Sequence, residues 1–438
     1  MLKSTRSLIA WQSLLSISLS VLAAGACSSS DKGAPSAASS GASGLAAGAS
    51  SAGTAASSAG AFPVSAGNGG SIAGGGSGAA VGGGNGGALD TGGSAAGGST
   101  SGGSTSGGSG GAGGAGGAGA DVSSAGDGDS EVGPTYTVDP NLTDLGNAKG
   151  KRFSFTMRSQ DSLIYKGDDA TLTAPGPFTR AITVYVPAKY KDGTAAPVLV
   201  LADGPEEIDL ISRALDNLTI STDPLKKIPA FIAIAVANGG GDSVGSERGL
   251  EYDTVSARYA SFIDTEVLPA VVSNAQIKAA YPNIKLTTDP DGKATYGCSS
   301  GGAAALTMGW LAPQSWHRII TYSGTFVAQQ NTAQVADTML YPLGAWEYHS
   351  DHELIKNAAQ KPLRIFINAN EQDNGYDAPA SGHHNWLLAN QLTAAALAAK
   401  SYHYRFILGK GVGHCDGTVK TLTLADVLSW TWRGYPTE

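Results

Sequence analysis

An α/β architecture, a doubly wound and mostly parallel sheet, is predicted for the C-terminal part of this 438-residue chain. Three observations predict it. Strand-like and helix-like patterns alternate from Thr179 onward. Several of the strands are continuous apolar runs, as expected where helices cover both faces of a sheet. The chemically competent residues Ser299, Glu371, Asp373 and His414 each follow a predicted strand, at the carboxyl edge where such sheets hold their sites.

Taken in order, Ala181 to Val186 alternates in strand fashion and Ala196 to Leu201 is a buried apolar run. Asp209 to Leu218 reads as a helix, and Phe231 to Ala237 as a second buried strand closed by Gly239-Gly240-Gly241. Tyr259 to Ser273 has the 3.6-residue apolar period of an amphipathic helix. A short strand, Lys293 to Tyr296, leads into TYGCSSGGAAAL, and Ala303 to Leu311 is small, apolar and proline-free, hence helical. Arg318 to Tyr322, Leu363 to Asn368 and Tyr402 to Leu408 supply three further strands. Asn385 to Lys400 and Thr423 to Trp432 supply the last helices.

The N-terminal part is of another kind. Lys3 and Arg6, the apolar stretch Leu8 to Leu22 and the small residues Ala23 to Ala26 predict an export signal over residues 1–26. Cys27 follows at the position of a lipidated bacterial lipoprotein cysteine, and Ser28 after it suits routing to an outer membrane. The alternative, ordinary cleavage after Ala24-x-Ala26, would release a secreted protein. Residues 27–134 are nearly all Gly, Ser, Ala and Thr and hold more than half of the 62 glycines. Such a segment cannot offset its ordering entropy and predicts a flexible tether of about 55–60 Å r.m.s. span. Residues 135–438 are then one domain. A net charge of −8 argues against nucleic acid as a partner. Membrane contact is expected through the N-terminal lipid alone, since no later run has the ~18–20 apolar residues of a membrane helix.

Ser299 lies in G-x-S-x-G, from Gly297 to Gly301, the strained strand-to-helix turn that exposes a nucleophile in α/β-hydrolases. The same five-residue pattern recurs around Ser109, but there it has neither strand before it nor helix after it. Of seven histidines, His414 alone occupies a Gly-rich loop between the last strand and the last helix, the place of the general base. His403 and His317 read as packing or surface residues. Neither His349 with His352 nor His383 with His384 has a third ligand at a metal-binding spacing. No metal or cofactor is therefore expected. The acid orienting the imidazole comes from NANEQDNGYD: Asp373 first, Glu371 as the alternative, Asp377 more distant. Two N–H groups must face the developing oxyanion; Ser300 supplies one and Gly204, in Asp203-Gly204-Pro205, the other, because Pro205 has none. Cys298 precedes the nucleophile and Cys415 follows the base. In an oxidising compartment these two pair, which leaves Cys27 for lipid.

The segments VLVLADG, SERGLEYDTVSARYASFIDTEVLPAV, YGCSSGGAAAL, KPLRIF, HNWLLANQLTAAAL and LSWTWRGY resemble the enterochelin-esterase-like, esterase D-type serine hydrolases. These include feruloyl and acetylxylan esterases of carbohydrate esterase family 1. The resemblance implies an α/β-hydrolase fold, Ser299 as nucleophile, Asp373 as acid and His414 as base. Arg248, His384 and Trp386, within or beside those segments, are the candidates for a substrate pocket. The Cys-Ser and His-Cys pairs resemble those of tannase-type feruloyl esterases, whose cysteines are bridged. The expected activity is an exported, surface-tethered serine carboxylesterase acting on esters of polysaccharides or aromatic conjugates. Alternatives are a siderophore trilactone esterase, a secreted acyltransferase and a binding lipoprotein on a hydrolase scaffold.

Overall fold

The computed structural model of the chain describes residues 124–242, 244–329 and 341–437. The export signal, Cys27 and most of the expected tether lie outside the described residues. Eleven strands are present among those described: β1 (Gly128–Val132), β2 (Lys151–Arg158), β3 (Thr179–Val186), β4 (Ala195–Ala196), β5 (Val198–Leu201), β6 (Ile232–Val236), β7 (Lys285–Leu286), β8 (Lys293–Cys298), β9 (Arg318–Tyr322), β10 (Arg364–Gln372) and β11 (His403–Gly413). Nine form one sheet in the order β1-β11-β10-β9-β8-β5-β6-β3-β2, and β4 pairs with β7 apart from it. From β1 across to β6 every pairing is parallel, while β3 runs antiparallel to both β6 and β2.

Strand alternation divides the core between the two faces of the sheet. Leu199, Leu201, Ala233 and Ala235 pack with helices Ile208–Leu218 and Gly417–Thr431. Val198, Val200, Ile232, Ile234 and Val236 face the other way, toward the helical stretch from Arg258 to Ser273 and helix Ser300–Leu311. Helix Trp386–Ala399 covers the same side farther along. This is the mostly parallel, helix-flanked sheet of the α/β-hydrolase type. The chain steps from β5 to β6, crosses back over β5 to β8, then continues outward through β9, β10 and β11. The reversal lies between β5 and β8, and open sheets place ligands outside the carboxyl ends of the strands at such a point.

Several elements differ from their sequence reading, each for a local reason. β1 lies inside the stretch assigned to the tether, so the folded part reaches back past residue 134; its sequence GDSEV is a polar edge strand with no apolar signal. β2 is likewise absent from the sequence expectation, although Phe153, Phe155 and Met157 alternate with polar residues and pack on the core. Pro197 separates β4 from β5, which the apolar run had joined. The amphipathic helix contains a widened π turn over Ile263–Val267, just before Pro269, which has no N–H for the helical ladder. The last helix starts at Gly417 rather than Thr423 because Asp416 caps it, accepting from the N–H groups of Thr418 (2.8 Å) and Val419 (3.2 Å).

Candidate active site

The turn at the end of β8 holds Ser299 at φ 58°, ψ −129°, a conformation L-residues rarely adopt and one that persists only when its surroundings enforce it. Two glycines make that turn sterically feasible. A Cβ on Gly297 would stand 2.1 Å from the Gly301 carbonyl, and one on Gly301 would stand 2.8 Å from Asp203 Oδ2. The Ser299 N–H donates to Tyr322 O at 3.0 Å, which ties the turn to β9. Helix Ser300–Leu311 is buried almost all round between sheet and neighbouring helices, so its residues are small or apolar on every face. Ser300, its first residue, has no intrahelical partner for its N–H and finds no acceptor among the described residues.

His414 follows β11 and its Nδ1 lies 2.5 Å from Asp373 Oδ1. Asp373 is fully buried, while the imidazole is about one-fifth exposed. The carboxylate also accepts from the N–H groups of Asn374 (2.9 Å) and Asn370 (3.2 Å), which fixes its orientation. Glu371, the alternative acid, turns away from the imidazole. It pairs with Lys410 at 2.7 Å and accepts from Gly411 N–H at 2.8 Å, and Lys410 holds its carboxyl below the ordinary value. Asp377 is exposed.

Cys298 and Cys415 form a disulfide with Cα atoms 6.1 Å apart, inside the usual range for this bond. The bond joins the nucleophile turn directly to the His414 loop. That loop is held twice more: Cys415 N–H donates to Ser323 Oγ (3.0 Å), and Asn370 Nδ2 donates to Gly413 O (2.5 Å). Between the two catalytic candidates stand Trp386 and Thr325. The Trp386 ring meets His414 edge-on with centroids 6.1 Å apart, and its indole N–H donates to Thr325 Oγ1 at 3.1 Å. Thr325 Oγ1 lies 3.3 Å from Ser299 Oγ, and Thr325 N–H donates to the Ser299 carbonyl at 2.9 Å. Sequence reasoning missed Thr325; its position directly after β9, at the carboxyl edge, was the available signal.

The post-β5 turn corrects one expectation. Gly204 N–H is engaged with Val236 O at 2.9 Å and so is not an open oxyanion donor; the adjoining Asp203 N–H donates to the Tyr252 hydroxyl at 3.0 Å. Arg248, a pocket candidate, is largely buried beside that turn. Its guanidinium grips Asp203 at 2.7 and 3.0 Å and Asp242 at 2.7 Å, holding the Asp203 turn against the nucleophile. Beneath them Asp253 is buried, its carboxyl pushed up to about 7 by burial against the lowering effects of Ser300 and Arg248. His384 is exposed with its ring 6.3 Å from that of Trp386. His349 donates to Phe326 O (3.0 Å) and is pushed down to about 4 by burial. His352 pairs with Glu347 (2.6 Å), and His383 stacks on Trp346 with centroids 4.6 Å apart.

Among curated protein sequences none matches this chain. Among solved structures, a ferulic acid esterase is similar at 17% identity over 66% of this chain and 99% of its own, with a TM-score of 0.43. A ferulic acid esterase from Anaeromyces mucronatus is similar at 13% identity over 68% of this chain and 96% of its own, with a TM-score of 0.46. The enterobactin esterase of Shigella flexneri is similar at 17% identity, with a TM-score of 0.41; the match covers 65% of this chain but only 59% of that longer protein. A family model described as "Putative esterase" matches residues 178–408, more than half of the chain, and the chain belongs to this esterase family, hydrolases of esters on an α/β-hydrolase-type sheet.

Proposed function

We propose that the protein is an exported serine carboxylesterase with Ser299 as nucleophile, His414 as general base and Asp373 as the acid that orients it. One observation carries the reading: the disulfide Cys298–Cys415 bolts the positive-φ Ser299 turn to a loop whose imidazole is bonded to a fully buried carboxylate. Asp373 occupies Nδ1 and leaves Nε2 for the serine proton. To react, Ser299 Oγ exchanges Thr325 for His414, attacks the ester carbonyl and releases the alcohol, which takes the proton back from the imidazolium. Water then attacks the acyl-enzyme by the same route. Ser300 N–H, at the first turn of a buried helix, is aimed to receive the oxyanion. A disulfide also suits a compartment outside the cytoplasm, which supports export. The half-buried Trp386 beside His414, with His384 next to it, favours esters of aromatic acids or of polysaccharide-linked aromatic groups.

The test is a panel of acetyl, feruloyl and cyclic-lactone esters assayed with wild type and Ser299→Ala, together with labelling by a fluorophosphonate probe. Turnover and labelling that both vanish in the variant are the expected result. Equal turnover by wild type and variant would overturn the assignment.

A further inference from the structure

Negative charge developing on an ester oxygen is stabilised by preorganised donors aimed at one point, and the backbone at this site leaves a single candidate open. Ser300 N–H is free, whereas Gly204 N–H is committed to Val236 O (2.9 Å) and Asp203 N–H to the Tyr252 hydroxyl (3.0 Å). Pro205 has no N–H to offer. A side chain stands where the second donor is missing. Thr325 Oγ1 lies 3.3 Å from Ser299 Oγ, at the atom that attacks.

Chemistry fixes the direction of that contact. The Trp386 indole can only donate, so Thr325 Oγ1 accepts from it at 3.1 Å. Thr325 is fully buried, and Ser299 Oγ is the acceptor its hydroxyl hydrogen meets among the described residues. A buried donor without an acceptor loses its hydration for nothing, whereas the half-buried Ser299 has another outlet for its own hydrogen. Thr325 therefore donates and Ser299 accepts. The donor is also well anchored. Thr325 N–H bonds the Ser299 carbonyl at 2.9 Å. Buried Asn390 donates from Nδ2 to the carbonyls of Gly324 and Trp386, both at 2.8 Å, which clips the Thr325 loop to helix Trp386–Ala399. Trp386 N–H donates to Asn374 O at 3.0 Å, in the loop that carries Asp373.

We propose that Thr325 is a catalytic residue, the second oxyanion donor, and that Trp386 positions it; this rests on the esterase reading above. As Ser299 Oγ passes its proton to His414 Nε2 and bonds to the ester carbon, the carbonyl electron pair moves onto its oxygen. The Thr325 hydroxyl, released from Ser299 Oγ and still accepting from Trp386, turns its hydrogen to that oxygen alongside Ser300 N–H. Thr325 keeps its proton throughout. The electron pair returns when the intermediate collapses and the alcohol leaves with the proton of the imidazolium. A donor that meets full charge only in the transition state raises kcat and leaves KM nearly as it was.

Full-length wild type, Thr325→Val, Thr325→Ser and Trp386→Phe are compared in steady-state kinetics on one aryl ester. Inhibition by trifluoroacetophenone, whose serine adduct carries the oxyanion, is measured beside them. Thr325→Val keeps the shape and removes the donor, so kcat should fall about a hundredfold with KM nearly unchanged. The ketone should bind more weakly by a like factor. Thr325→Ser keeps the donor and loses a methyl group, and should retain most of the wild-type kcat. Trp386→Phe frees the hydroxyl to rotate and should cost about tenfold in kcat, the worth of one hydrogen bond. Wild-type kcat in Thr325→Val would overturn the proposal, as would a Thr325→Ser enzyme as slow as Thr325→Val, the mark of a packing role. Where Thr325→Val fails to fold, Thr325→Ala against Thr325→Ser repeats the contrast, and equal kcat in that pair overturns it. A wild type that neither turns over esters nor labels with a fluorophosphonate removes the esterase reading and this one together, whereas an active wild type with an undiminished Thr325→Val removes this one alone.

Discussion

Residues two apart in the sequence do unlike things at the end of β10, and this divergence carries the sharpest mutational contrast. Asp373→Asn replaces the buried carboxylate bonded to His414 and should cut kcat by orders of magnitude, because the imidazolium loses its counter-charge and its tautomer is no longer enforced. Glu371→Gln breaks only an exposed pair with Lys410, and such pairs contribute little. Steady-state kinetics on one aryl ester compare the two, and the reverse order would move the acid role to Glu371. The glycines of the turn give a second contrast at this scale. Gly297→Ala drives a Cβ into backbone 2.1 Å away, whereas Gly301→Ala meets the Asp203 carboxylate at 2.8 Å, a side chain with some freedom to shift. Both should lower activity, and Gly297→Ala should lose more Tm.

Among the elements, the His414 loop is anchored by the disulfide, by β11 and by the Asp416 cap. Reduction of Cys298–Cys415, or the double Ser substitution, should reduce activity before the domain unfolds, since the loop loses its link to the nucleophile turn while the sheet persists. Closing a loop with a sequence separation of 117 residues is worth roughly 4–5 kcal/mol in the chain-entropy account, so a lower Tm should accompany the change. Activity and the folded fraction are followed together across a reductant titration, and activity lost only in step with unfolding would count against a local effect. β1 makes a parallel case. It pairs along β11 from Gly128 to Val132, and Asp127 beside it holds His403 and the Trp430 indole. A chain starting at residue 120 should keep wild-type Tm and kinetics, while one starting at residue 135 should lose several degrees because β11 becomes a bare edge. Equal Tm values would remove β1 from the folded domain.

Across the whole molecule, buried acids give stability a pH dependence of defined sign. Burial pushes Asp253 up to about 7, and burial with the Glu251 charge does the same for Glu247. In the unfolded chain both titrate near 4. Between about pH 4 and pH 7 the native state therefore holds more protons, and the stability these groups confer, complete below about pH 4, is lost as pH rises to about 7. Asp253→Asn should flatten this fall and raise Tm at pH 7 relative to wild type. Thermal unfolding of both from pH 4.5 to 8 measures the difference, and parallel profiles would refute it.

By itself the sequence determined the alternation of strand and helix, the turn that carries Ser299, the loop that carries His414 and the two cysteines that could join them. Those signals are local: apolar period, glycines at fixed offsets, helix formers after a strand. Only the tertiary structure decided among groups that are alike in sequence. A register shift between Asn370 and Gln372 sends Glu371 toward Lys410 and leaves Asp373 facing His414. A hydrogen bond to Val236, on a neighbouring strand, takes the Gly204 N–H out of the oxyanion site. The polar edge strand β1 exists because β11 offers it a ladder, which no property of GDSEV announces. Arg318, Arg364 and His403 stand side by side because parallel strands bring their first residues into register. Register, burial and hydrogen-bond partnership depend on contacts between residues far apart in the chain, and a one-dimensional pattern does not contain them.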